Sequence, residues 1–322
     1  MSPGRVALTV SALLLAACIG TACSVAQQAS PDHPDTDTGE TEAGAEPGAA
    51  AIDPVIAQWT RAIERNPDSA VAYNDRGYAY EERGDYELAI ADYDKALELQ
   101  PDSPVTLNNR GHAYAKSGEY RLAIDDYTKA LELDPNLAIA YSNRAYAYNQ
   151  LGEYELAIAD YAKATELDPD LAAAYNNTAH AYNQQGKYDL AIQFCTKAIE
   201  LEPGLAAAYD NRAFALNEKG MYDEAIADST RAIELQPDLA IAYNNRAFAY
   251  LSKKQYESAI ADCARAIQHD PKLVVAYSNR AWAYKLLGRK AQAIADFQKI
   301  IALDKDSPAA ATAKSQIEEL SQ

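Results

Sequence analysis

Residues 138–171, AIAYSNRAYAYNQLGEYELAIADYAKATELDPDL, are the unit from which most of this chain is built. Prolines stand at Pro67, Pro101, Pro135, Pro169, Pro203, Pro237 and Pro271, each 34 residues after the last. A fixed period of that size marks a solenoid of small repeating units. Seven complete units follow, at 70–103, 104–137, 138–171, 172–205, 206–239, 240–273 and 274–307. In each, apolar residues recur at helical spacing in two segments. The segments are divided by Gly84, Gly118, Gly152, Gly186, Gly220 and Gly288, a residue suited to a left-handed helix C-cap. Each unit is therefore predicted to be two helices.

Small residues fall where two helices must cross closely: Ala145 on the first helix of the quoted unit, Ala157 and Ala164 on the second. The other units keep Gly or Ala there, except for Ile300. All 23 tyrosines occupy only five positions of the unit, those of Tyr141, Tyr146, Tyr148, Tyr154 and Tyr161. A Tyr ring brings a large apolar face with a polar tip, which suits packing between neighbouring hairpins.

A tyrosine four residues in, a small residue eight in, a tyrosine eleven in, alanines on the second helix and a closing proline together resemble the tetratricopeptide repeat (TPR) family. The resemblance covers all seven units. It implies an all-α fold, a right-handed solenoid or superhelix of helix-turn-helix hairpins whose concave face is lined by the first helices. It also implies the family's usual function, holding a peptide or a partner protein in that groove. One departure stands out. Seven residues in, where the family usually has leucine, this chain has Arg76, Arg110, Arg144, Arg212, Arg246 and Arg280.

Composition fits a globular chain, with 48% hydrophobic and 9% aromatic residues and four cysteines. A net charge of −18 argues against a nucleic-acid surface, which needs basic clustering. Residues 1–17 read as a signal peptide, with Arg5 followed by an apolar run. Leu15-Ala16-Ala17-Cys18 resembles the bacterial lipobox, which implies lipidation of Cys18 and export to the cell membrane or envelope. Three other readings stay open: ordinary cleavage at Ser24-Val25-Ala26 to release a soluble protein, an uncleaved anchor, and lipidation at Cys23. The apolar run is short for a spanning helix. Residues 18–50 form an acidic tether with almost nothing to bury, predicted to be disordered.

The ends of the repeats look closed. Residues 51–69 align with a lone second helix, since Trp59, Ala62 and Pro67 fall where Tyr93, Ala96 and Pro101 fall one unit later. Residues 308–322 align with a lone first helix whose aromatic positions have become Ala311 and Glu318. Both read as capping helices with one polar face.

The same six units that carry the arginine carry an aspartate on the second helix: Asp92, Asp126, Asp160, Asp228, Asp262 and Asp296. The fourth unit has Thr178 and Phe194 instead. Loss of both together predicts structural ion pairs within each hairpin, because an unpaired buried charge is costly while replacing both partners is tolerated. Ligand binding by the arginines is the weaker reading.

Six residues into the units stand Asp75, Asn109, Asn143, Asn177, Asn211, Asn245 and Asn279. One position repeated on stacked helices makes a ladder, and an amide that both donates and accepts can bind an extended peptide backbone whatever its sequence. The run is similar to the asparagine ladder in the repeat domain of the eukaryotic O-linked N-acetylglucosamine transferase, although nothing here resembles that enzyme's catalytic domain. The competing reading is that each Asn bonds the backbone of a neighbouring helix. Three residues further on, on the same helical face, come Tyr78, His112, Tyr146, His180, Phe214, Phe248 and Trp282. These rings either line an apolar wall for peptide side chains or wedge between adjacent first helices.

No catalytic constellation is present, no Gly-rich phosphate loop appears, and His33, His112, His180 and His269 lack metal-ligand spacing. No cofactor or metal is implied. The basic clamp that related repeats use for acidic C-termini is missing, since Val71, Val105 and Asn143 stand on that face. Cys195 and Cys263 share one position two units apart, too far for a disulfide, and read as packing residues. Lys254 replaces the interhelix glycine of the sixth unit, marking the point where local opening is expected to be easiest. The sequence thus predicts a non-enzymatic scaffold for extended segments of partner proteins at the cell envelope. The alternative is a structural part of an envelope assembly, acting through the convex face or the solenoid ends.

Overall fold

The structure, a computed structural model, describes residues 53–322. The signal peptide, Cys18, the whole tether and the first two residues of the 51–69 cap lie outside the described residues. Among the described residues there are sixteen helices and no strand, so the fold is all-α. The described chain divides into two bodies, residues 53–169 and 170–322.

The first body holds α1 (Pro54–Arg65) and three hairpins: α2 (Ala70–Glu82) with α3 (Tyr86–Leu99), α4 (Pro104–Lys116) with α5 (Tyr120–Leu133), and α6 (Ala138–Gln150) with α7 (Tyr154–Leu167). In the second body come α8 (Ala172–Gln184) with α9 (Tyr188–Leu201), α10 (Ala206–Glu218) with α11 (Tyr222–Leu235), α12 (Ala240–Ser252) with α13 (Tyr256–His269), α14 (Val274–Leu286) with α15 (Lys290–Leu303), and finally α16 (Pro308–Ser321). Within each body every helix packs on the next in sequence, the consecutive stacking of a repeat solenoid.

Local chemistry sets the helix ends. The side chains of Asp53, Ser69, Ser103 and Ser307 accept from backbone N–H groups in the first turns of α1, α2, α4 and α16, supplying acceptors for orphan donors. Pro54, Pro104 and Pro308 begin three of those helices, where a missing N–H costs nothing. First helices end on a left-handed residue. Gly152 has φ 75°, its N–H donates to the Asn149 carbonyl at 3.0 Å, and Glu153 N–H reaches back to Tyr148 at 2.9 Å. Lys254 adopts the same conformation at φ 62°, unlike the six glycines that otherwise hold it.

The core lies between paired helices. Ala89, Ala123 and Ala157 in the first body, and Ala191, Ala225, Ala259 and Ala293 in the second, are wholly buried, because only a methyl group lets the helix axes approach there. Beside them Tyr93, Tyr127 and Tyr161 are fully buried in the first body. A ring of that size stabilises by roughly 2–3 kcal/mol through the area it removes from water. Cys195, Ser229, Cys263 and Phe297 take that position in the second body. Both cysteines are buried and reduced, and burial pushes their thiol pKa values up, which makes them inert packing groups.

At the ends, Ile56 and Trp59 of α1 are buried against α2, and Ala309, Ala310, Ala313 and Leu320 of α16 are buried against α15. Lys285 fastens α16 from the side, donating to Gln316 and to Glu319 at 2.8 Å.

Candidate functional site

Each hairpin is clamped by its arginine. Arg76, Arg110, Arg144, Arg212, Arg246 and Arg280 each donate through Nε and Nη2 to both carboxylate oxygens of Asp92, Asp126, Asp160, Asp228, Asp262 and Asp296 respectively. These are bidentate, charge-assisted bonds. Arg144 is representative, at 2.7 and 2.9 Å, with its guanidinium over the rings of Tyr141 and Tyr148 at 5.7 and 6.0 Å. The bonds to aspartate hold these guanidinium pKa values above their ordinary level, against burial.

A third bond was not foreseen from the sequence. Nη1 of Arg110, Arg144, Arg212 and Arg246 reaches the preceding second helix, at Asp94, Thr128, Thr196 and Thr230. The recurrence of a hydroxyl or carboxylate two residues beyond the aspartate position was the available signal. One side chain therefore ties together three helices.

The opposite face of each first helix carries the proposed ladder. In the first body Val71 and Val105 are 48% and 43% exposed, while Tyr78, His112, Asn143 and Tyr146 are half-buried beside them. Glu81 lies buried behind this face. Its two oxygens are taken by His112 Nδ1 and by the Tyr93 hydroxyl, the latter at 3.0 Å. Exposed Glu82 shares the Tyr78 end of the face, and burial first, then the charges of Glu82 and Glu81, raise the Tyr78 pKa.

The structure corrects the reading of the asparagines. Five of the six asparagine amides expected to donate to a peptide, those of Asn109, Asn143, Asn211, Asn245 and Asn279, already donate to a side chain of the preceding hairpin. Asn109 Nδ2 bonds Asn74 at 3.2 Å and Asn143 bonds Asn108 at 3.1 Å. In the second body Asn211 bonds Asn176 at 2.9 Å, Asn245 bonds Asp210 at 2.8 Å and Asn279 bonds Asn244 at 2.9 Å. The physical reason is register: one helix pair of rise brings each of these five amides onto the residue 35 positions back, which is an Asn or Asp acceptor. The ladder is first a set of rungs between hairpins.

Burial then divides the site residues. Asn143, Asn177 and Asn211 stay half-buried, whereas Asn109, Asn245 and Asn279 are buried. The Oδ1 atoms of Asn245 and Asn279 are sealed and unbonded. Asn177 accepts from its neighbour Asn176 at 3.3 Å.

The ring wall needs a second correction. Tyr78, His112, Tyr146 and His180 are half-buried, but Phe214, Phe248 and Trp282 are core. In the second body the first helices also pack directly on one another, and these three rings fill the space between them. Phe214 meets Tyr188 edge-on at 6.3 Å, Phe248 meets Tyr222 at 6.5 Å, and Trp282 meets Phe297 at 6.1 Å. Asn183 and Asn217 seal the same seam by donating to the backbone carbonyls of Asn211 and Asn245, at 2.9 and 2.8 Å.

Asp210 is the one carboxylate among these five acceptors. Burial pushes its pKa up to about 7, opposed only by the bond from Asn245. In the fourth hairpin, which lacks the clamp, the Thr178 hydroxyl donates to the Ala174 carbonyl at 2.8 Å. Phe194 packs on Tyr182 and Tyr175 at 5.3 and 6.2 Å. His269 stacks on Tyr243, and among the described residues no group of three His, Cys, Asp or Glu is placed to hold a metal.

Family models described as tetratricopeptide repeat match residues 104–137, 138–171 and 172–205, residues 246–318, and residues 59–91 and 194–227. One described as TPR repeat matches 77–118 and 215–254. These matches join into an unbroken span from 59 to 318. The chain belongs to the tetratricopeptide repeat family.

No curated protein matches the tetratricopeptide repeat chain. Among solved structures it is similar to the APC/C hetero-tetramer Cut9-Hcn1, with a TM-score of 0.68 and 19% identity over 83% of this chain and 52% of that one. It is also similar to a tetratricopeptide repeat protein from Parabacteroides merdae, with a TM-score of 0.60 and 23% identity over 83% of this chain and 100% of that one. A third is yeast Tom70, with a TM-score of 0.54 and 20% identity over 83% of this chain and 58% of that one. At these identities the likeness is one of fold. The chain spans about half the length of the Cut9-Hcn1 chain. Tetratricopeptide repeats are in general protein-binding scaffolds, and among the described residues no helix is long and apolar enough to cross a membrane.

Proposed function

We propose that this protein is a non-enzymatic scaffold that holds an extended segment of a partner protein against the first-helix face of residues 71–146. Lipidation at Cys18 and placement at the cell envelope belong to the same reading. The observation that carries it is the state of that face in the first body. Two valines are close to half exposed, and Tyr78, His112, Asn143 and Tyr146 present ring and amide edges beside them. Surface of that kind suits apolar side chains of a bound strand. Asn143 keeps its Oδ1 as an acceptor for a backbone N–H after its own donor is engaged.

A second reading, assembly through the second helices, is favoured by one observation. Leu88, Leu122 and Leu156 are 45–50% exposed, one per hairpin, at the same position of α3, α5 and α7. The deciding experiment places a photoreactive residue at Tyr146 or at Leu122 in the full chain and crosslinks in envelopes. Discrete partners from Tyr146 alone support the peptide face; partners from Leu122 alone replace it with the assembly reading. Incorporation of a clickable fatty acid that survives Cys18→Ser would sink the lipid anchor at that residue.

A further inference from the structure

The fourth hairpin carries an open cleft of about 400 Å3, lined by Tyr175, Gln193, Phe194, Thr196, Lys197 and Glu200. We infer that this cleft receives an arginine side chain of a partner protein, stacked on Tyr175 and Phe194 and bonded to Glu200.

The chain itself shows what such a tyrosine holds. Tyr73, Tyr141, Tyr209, Tyr243 and Tyr277 stand at the same position of their hairpins as Tyr175, and each has an arginine guanidinium over its ring at 5.7 Å. Tyr175 has the ring without the guanidinium. Thr178 is too short to supply one, and Phe194 stands where the others have the aspartate partner. Phe194 is closer to Tyr182 than to Tyr175, so the open side of the cleft is the Tyr175 side.

Charge points the same way. A cation over two ring faces is attracted by their quadrupoles, and a planar guanidinium also stacks where an ammonium does not. Glu200 supplies the carboxylate. Among the described residues its ion-pair partner is Lys197, at 3.7 Å, the loosest of the four i,i+3 pairs found there, against 2.8, 2.9 and 3.0 Å at Lys95–Glu98, Lys163–Glu166 and Arg231–Glu234. A fork-shaped donor that reaches both carboxylate oxygens displaces a single ammonium contact. The net charge of −18 favours approach of a basic partner. The inference is independent of the first-helix face, which lies on residues 71–146.

The test is a titration of the 15N-labelled chain with N-acetyl-arginine amide, N-acetyl-lysine methylamide and N-acetyl-tryptophan amide, followed by NMR. The arginine probe is expected to shift the amides of residues 175 and 193–200 saturably, and the lysine probe to bind about fivefold more weakly, the loss of one exposed stacking interaction. The variant carrying both T178R and F194D gives the fourth hairpin the clamp of the other six, with an internal guanidinium under Tyr175, and should lose the arginine shifts. Glu200→Gln, at an exposed position, should weaken them about fivefold and decides the matter if the double variant does not fold. Absence of shifts at these residues, equal or tighter binding of the lysine or tryptophan probe, or undiminished binding in the folded double variant or in Glu200→Gln would each overturn the inference.

Discussion

Arg144 and Asp160 are joined by two parallel bonds of 2.7 and 2.9 Å, across the two helices of a single hairpin, with side chains only 17% and 12% exposed. Removing one partner leaves a charge with no counterpart in a site that is mostly closed to water. Arg144→Ala or Asp160→Ala should therefore cost roughly 2–3 kcal/mol, the figure for breaking a buried pair reduced for partial exposure. The double variant should cost less than the sum. A double-mutant cycle by urea unfolding is expected to give coupling of about 1 kcal/mol or more; additive losses would show that the pair contributes nothing as a pair.

Asp210 gives the second body a pH dependence. Its pKa is raised from 3.8 to about 7, first by burial, so the proton is held more tightly in the folded chain than in the unfolded one. The stability this gives is complete below about pH 4 and falls as pH rises to about 7, by up to about 4 kcal/mol. Asp210→Asn supplies the residue that Asn74, Asn108, Asn176 and Asn244 supply elsewhere. It should stabilise the second body above pH 7 and flatten unfolding between pH 4 and pH 7, measured by urea titration across that range. A variant no more stable than the parent at pH 8 would contradict the buried carboxylate.

The fold was legible because its determinants are periodic and local: prolines every 34 residues, glycine at a left-handed turn, alanine where helices cross. The joint absence of arginine and aspartate from the fourth hairpin also carries the pairing of Arg144 with Asp160. The bond from Asn143 to Asn108 is another matter, because it depends on the rise between hairpins, which no single unit encodes. For the same reason Phe214 and Tyr146 look equivalent in sequence. Their burial differs because the first helices of the second body pack closely on one another, a property of stacking angle and not of any one position.

Two asparagines from the same ladder position separate structural from binding roles. Asn279 is fully buried and donates to Asn244, so Asn279→Ala leaves a polar partner unsatisfied and should destabilise by about 1–3 kcal/mol without changing capture at Tyr146. Asn143 is half-buried and bonds Asn108 at 3.1 Å. Asn143→Ala should cost only about 0.5–1.5 kcal/mol, the net contribution of one hydrogen bond, and should reduce crosslinking from Tyr146 at temperatures where both variants are folded. Thermal unfolding and the crosslinking yield, measured on the same samples, distinguish the two; equal effects on capture would mean that Asn143 acts only as a rung.

Lys254 holds a φ of 62° at the turn where the other hairpins have glycine. A side chain with a Cβ in that region crowds its own carbonyl, at a cost on the order of 1 kcal/mol. The hydrogen bonds of the turn are nevertheless all made: Lys254 N–H to Leu251 at 3.0 Å and Gln255 N–H to Tyr250 at 2.8 Å. The strain therefore remains in the folded state and lowers the free energy of opening the α12–α13 turn. Amide exchange at Lys254 and Gln255 should be faster than at Gly220 and Met221 of the preceding hairpin. Lys254→Gly should slow it several-fold by removing the strain, although the freer unfolded chain offsets part of the gain. Exchange that is no faster than in the α10–α11 turn, or is unchanged in the glycine variant, would mean that neighbouring packing and not this backbone angle governs opening there.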